Sequence, residues 1–120
     1  MSNLNQFANS LLKINVQQVL GSVDDLNSAE QSAAFQADTV AIAIGSFSTS
    51  TTPTSVHFSI GSNPTATDSM VVMPHVGGTA NTINMPMTSY LIIGVNAGEK
   101  ISCIRSSGYP MNAHIIELKY

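Results

Sequence analysis

Charge is scarce in this chain: of 120 residues, four are Lys or Arg and seven are Asp or Glu, 9% in all, against about 25% in ordinary soluble domains. The four cations, Lys13, Lys100, Arg105 and Lys119, are scattered, and the formal net charge is -3. No electrostatic footprint for a phosphate backbone is present, so nucleic acid is not an expected partner. Tryptophan is absent and only Tyr90, Tyr109 and Tyr120 carry phenol rings, which leaves a carbohydrate site built on aromatic stacking little to work with. A single cysteine, Cys103, excludes an internal disulfide framework. The opening MSNLNQFANS has neither a basic region nor an apolar core of signal-peptide length, and no apolar run approaches the ~20 residues of a membrane span. A protein kept in the cytoplasm, or leaving it inside a larger assembly, is expected, with no membrane partner.

What replaces charge is uncharged polarity, since 36 residues are Ser, Thr or Asn. Repulsion between copies is then weak and close self-association is tolerated, which favours a structural, repeatedly arrayed protein over an enzyme. The length is that of one domain, enough to bury roughly two-thirds of the unfolded surface without disulfides or metal.

From Thr39 onward, β-branched runs alternate with clusters of Gly, Pro, Ser, Thr and Asn, the punctuation of an antiparallel β protein. Residues 39–47, TVAIAIGSF, place Val40, Ile42 and Ile44 on one face with alanines on the other, which predicts a central strand covered on both sides. Residues 55–61, SVHFSIG, predict a half-buried strand with Val56, Phe58 and Ile60 inward and His57 and Ser59 outward. A further strand is expected at 69–73, stopping at Pro74, with Gly77 and Gly78 in a turn and a weaker strand at 82–86. Residues 90–95 form a strong candidate, and Asn96, Ala97 and Gly98 offer a hairpin loop into 99–105. A second hairpin is expected through 106–110 into the last ten residues. About six or seven strands at intervals of roughly ten residues match a small antiparallel β-sandwich of jelly-roll type.

The first 38 residues allow two readings. Leu4, Phe7, Ala8, Leu11 and Leu12, then Val16, Val19, Val23 and Leu26, recur at helical spacing. Alternatively, residues 13–20 form the first strand, with Ile14, Val16 and Gln18 on one face, and Gly21 with Asp24-Asp25 marks a turn. Ser28 with Gln31 has the spacing of a capping box and is compatible with one short helix. Gly21 costs about 1 kcal/mol inside a helix, so an arm, an early strand and a short helix over 1–38 are preferred. The sandwich proper then spans 39–120 within one structural domain overall.

No catalytic, metal or cofactor constellation is expected. Asp24-Asp25 lacks the alternating ligands and glycine of a calcium loop, and His57, His75 and His114 share no metal-ligand spacing. Cys103 and His114 would make a nucleophile pair if a hairpin joined their strands, but Cys103 alternates with Ile101 as a small core residue does. Gly77-Gly78 has none of the residues that make a phosphate loop. The methionines in the sheet region fit core filling or an adaptable groove, and the Ser/Thr-rich loop at 48–55 fits a solvated connection or hydrogen bonds to a sugar.

Three stretches carry a family likeness: NLNQFA at 3–8, TVAIAIGSF followed by a small polar loop and SVHFSIG, and the closing run from Tyr90 with Gly98-Glu99-Lys100-Ile101, Ser107-Gly108 and Glu117-Leu118. Together they resemble the small β-sandwich virion proteins of tailed bacteriophages, which serve as head decoration or cement proteins and as accessory tail proteins. The segment 22–36 departs from that pattern by being longer and more helix-prone. The resemblance implies a non-enzymatic protein on the capsid surface of a virion assembled in the host cytoplasm. It would bind the major capsid protein as a homo-oligomer, a trimer being favoured, without a cofactor. The alternative in the same resemblance is a receptor- or glycan-binding module of a tail fibre. Leu4, Phe7, Leu11 and Leu12 are the expected anchors, because a terminal segment needs docking to become ordered; otherwise they cover the end of their own sandwich.

Overall fold

A computed structural model describes residues 12–22, 24–48, 54–77, 90–106 and 109–120. Among them are the strands β1 (Lys13–Leu20), β2 (Glu30–Gln31), β3 (Ala41–Ser48), β4 (Val56–Gly61), β5 (His75–Gly77), β6 (Leu91–Gly94), β7 (Lys100–Arg105) and β8 (Met111–Lys119). The larger sheet runs β1-β8-β3, and beyond β3 it continues as antiparallel β6 beside Ala41–Ile44 and parallel β5 beside Ser46 and Phe47. The smaller sheet is β2-β7-β4. Ile42, Ile44, Met111, Ala113 and Ile115 from the first sheet meet Val56, Phe58, Ile101 and Cys103 from the second in one buried cluster. The protein is therefore all-β, a small β-sandwich.

The double-sided character of β3 is realised along its whole length, which is buried. Ile42 and Ile44 point between the sheets. Ala41 and Ala43 point the other way, into a second apolar cluster with Ile92, Ile116 and Leu118. The inward set of β4 is also as expected, with Val56, Phe58 and Ile60 packed in the interior.

Both expected hairpins are replaced by crossings between sheets. The turn at 96–98 reverses the chain, with Gly98 at φ 86°, yet it carries the chain from β6 on β3 to β7 on β4 and β2. Residues 106–110 likewise lead from β7 back to β8 in the larger sheet. Turn chemistry specifies that a chain reverses, whereas the partner of each strand is decided by which faces must be buried. β3 needs cover on both faces and takes β8 and β6 as neighbours.

The expected strand at 69–73 is reduced to a single bridge between Val72 and His57, flanked by bonds from Phe58 N to the Val71 carbonyl and from Met73 N to the Val56 carbonyl. Strand β5 follows Pro74 and includes Gly77, which was expected in a turn. Pro74 has no N–H to donate, and its carbonyl accepts from Ser46 N at 2.8 Å, so the chain passes there from the edge of one sheet to the edge of the other.

No helix occurs among the described residues, and the capping-box spacing of Ser28 and Gln31 marks none. The Ser28 hydroxyl donates to Asp24 at 2.5 Å, while Asp25 and Leu26 adopt φ of 56° and 64°, which a right-handed helix does not admit. Leu26 is nevertheless fully buried, and that burial offsets the cost of its left-handed backbone. In β1 a bulge between Ile14 and Val16 sets Ile14 opposite Leu118 and Val16 opposite Glu117, so Ile14 and Val16 lie on opposite faces and not on one.

Candidate functional site

The carboxylate of Glu117 is the most deeply buried charge among the described residues. Its Oε1 accepts from Gln36 N at 2.8 Å and from the Thr39 hydroxyl at 2.7 Å, and its Oε2 accepts from Gln18 Nε2 at 3.0 Å. These bonds fasten β1 and the 32–39 segment to β8. A lone acid between Ile116 and Leu118 is the one sequence signal of this junction.

The histidines do not converge. His57 was expected to face outward into solvent. It lies on the outer face of the smaller sheet but is buried there under residues 69–72, its Nδ1 donating to the Met70 carbonyl at 2.8 Å and its Nε2 accepting from Ser106 Oγ at 2.9 Å. His75 is exposed on β5. His114 stands on the outer face of the larger sheet, where Tyr90 O–H donates to Nδ1 at 3.0 Å and Nε2–H donates to Gln17 Oε1 at 2.9 Å. Burial lowers the His114 pKa and favours the neutral ring, and the Gln17 acceptor places the proton on Nε2. Among the described residues no three His, Cys, Asp or Glu side chains form a metal-binding group.

Cys103 is buried between the sheets, and burial, with the Glu30 carboxylate adding to it, pushes the thiol pKa up. It therefore stands across the larger sheet from His114, and the Cys-His pair is not formed. Asp24-Asp25 belongs to a turn, as expected.

Of the expected anchors, Leu4, Phe7 and Leu11 lie outside the described residues, as does most of the 48–55 loop. Leu12 is half-buried against the second apolar cluster, on Ala41, Ile116, Leu118 and their neighbours.

Among the described residues, two depressions and one strand edge stand out. The larger depression, about 580 Å³, lies where β1, β3 and β8 meet the 21–25 turn and is lined by Val19, Gly21, Ser22, Asp25, Phe47, Asn112 and His114. Gly21 shapes it: at φ 109°, a β-carbon there would overlap the Asn112 amide and sit 2.9 Å from the Met111 carbonyl. The smaller, about 380 Å³, is bordered by Asn27, Thr67, Asp68, Arg105 and Ser106. The strand edge is that of β1, which pairs with β8 alone among the described strands, and its Ile14 and Val19 are 50% and 49% exposed. A second exposed apolar stretch, Met70, Val71 and Val72, runs beside β4.

Comparisons with protein-family models, with curated proteins and with solved structures find no match for this chain. The site must therefore be read from its own geometry.

Proposed function

We propose that this chain is a non-enzymatic structural protein of a tailed-phage particle, binding the outer capsid surface as a decoration or cement protein. The observation that carries the reading is β1, an eight-residue strand with an unpaired edge among the described residues and two large apolar side chains exposed beside it. Such an edge is a template for pairing with another chain. Lys13 is the only charge along it, so little repels a neighbour. β1 follows directly on residues 1–12, which place Leu4, Phe7, Leu11 and Leu12 next to the same edge in sequence. On a shell with many equivalent sites, modest contacts of this kind gain strength through avidity. The partner is then the major capsid protein, and copies of the chain act together as a homo-oligomer, for which three-fold symmetry is the arrangement favoured.

The experiment is co-sedimentation with purified shells lacking this protein. The full chain is expected to pellet with the shells to a defined stoichiometry. A chain lacking residues 1–12 is expected to keep its β circular-dichroism spectrum and stay in the supernatant. Full occupancy by the truncated chain would remove the arm from the account, and failure of the intact chain to pellet with any shell would remove the decoration reading itself.

A further inference from the structure

We infer that the depression between β1, β8 and the 21–25 turn is a saccharide-binding site. The inference stands apart from the particle-binding reading and places sugar recognition away from the 48–55 loop. The volume of about 580 Å³ falls within the range of about 300–1,000 Å³ typical of small-ligand sites. Its chemistry is one-sided. No described residue bonds the Asp25 carboxylate, which keeps two acceptor oxygens free, and the Ser22 hydroxyl is equally unpartnered. Asn112 uses one N–H on the Leu20 carbonyl at 3.2 Å and retains its side-chain oxygen. Both ring nitrogens of His114 are occupied by Tyr90 and Gln17, so the imidazole contributes a wall.

These groups select by elimination. No Lys or Arg lines the depression, so an anionic ligand would meet the Asp25 charge with nothing to neutralise its own. A divalent cation needs several oxygen ligands, and one carboxylate is supplied. The surplus of acceptors calls for a neutral ligand rich in donors, and vicinal hydroxyls match the two oxygens of a carboxylate in spacing and number. Val19, 49% exposed, gives the apolar C–H face of a pyranose something to pack on, with the largely buried Phe47 also in the lining. Asp25 is held for the task by a backbone at φ 56°, a left-handed conformation of the kind that clusters at ligand clamps.

The test uses the full chain, labelled with nitrogen-15, titrated separately with methyl α-D-mannopyranoside, methyl β-D-galactopyranoside, N-acetyl-D-glucosamine and L-rhamnose in the millimolar range. At least one sugar is expected to give saturable shifts at Ser22, Asp25 and the Asn112 side-chain amide. Asp25→Asn, which keeps the shape and tolerates positive φ, should weaken that binding by about tenfold or more, and Ser22→Ala should weaken it less. Unchanged thermal unfolding of both variants separates loss of binding from loss of fold. The inference is overturned if no sugar gives saturable shifts, or if the shifts are confined to the 48–55 loop. Binding indifferent to Asp25→Asn overturns it too, as do shifts at these residues with methylammonium chloride and none with the sugars.

Discussion

His114 illustrates how one side chain can be committed to structure by its neighbours. Its two ring nitrogens bridge Tyr90 and Gln17, and burial disfavours the charged imidazolium, lowering its pKa from 6.5. The unfolded chain therefore binds a proton more readily than the folded one. Stability must fall as pH drops through 6.5 toward the lowered native value, and this contribution levels off once both states are protonated. Urea unfolding midpoints followed from about pH 7.5 to about pH 5 should decline, and the decline should be shallower in His114→Gln. Equal slopes for the two proteins would contradict the assignment. The phenol is part of the same arrangement, since burial also raises the Tyr90 pKa and keeps its O–H available to donate.

Among the elements, the approach of β5 to β3 turns on one missing β-carbon. A methyl group at Gly45 would sit 2.5 and 2.6 Å from the two γ-carbons of Val76. A β-branched side chain has few rotamers into which to withdraw. Gly45→Ala is therefore expected to destabilise by about 1–3 kcal/mol, measured by denaturant unfolding. Adding Val76→Ala should recover part of that loss, so that the double variant is more stable than the sum of the single effects. Strict additivity would show that the close approach is not what the glycine serves.

The same scale shows what the sequence could disclose. The doubly apolar pattern of 39–47 and the alternation of 55–61 predicted both strands and the inward face of Ile42, Ile44, Val56, Phe58 and Ile60, because side-chain period settles that question within a strand. Val40, just before β3, packs instead against the second cluster, and His57 on the opposite face is buried. The helical spacing of Val16 and Val19 competed with a strand at 13–20, and pairing with β8 decides for the strand. Sheet membership was not legible. The turns at 96–98 and 106–110 have hairpin composition, but tertiary burial directs each across the sandwich. Pro74 was read as a stop, whereas it is a step between two sheet edges. Of the site residues, Gly21 and Asp24-Asp25 were legible as a turn. The depression they border was not, since Asn112, Phe47 and His114 come to it from strands far apart in sequence.

At the scale of the whole molecule, low charge, a sandwich with two apolar clusters and a β1 edge unpaired among the described strands belong together. An isolated soluble protein usually guards an exposed edge with charge, proline or a covering segment. Among the described residues β1 carries one lysine and one bulge as its guard, and on the proposed reading its edge meets a fixed neighbour. The measurement that tests this most directly is the copy number of the chain relative to the major shell protein, by quantitative mass spectrometry of particles purified from the lysate in which it is made. An abundance comparable to that of the shell protein is expected. Absence from the particles, or a handful of copies per particle, would contradict it.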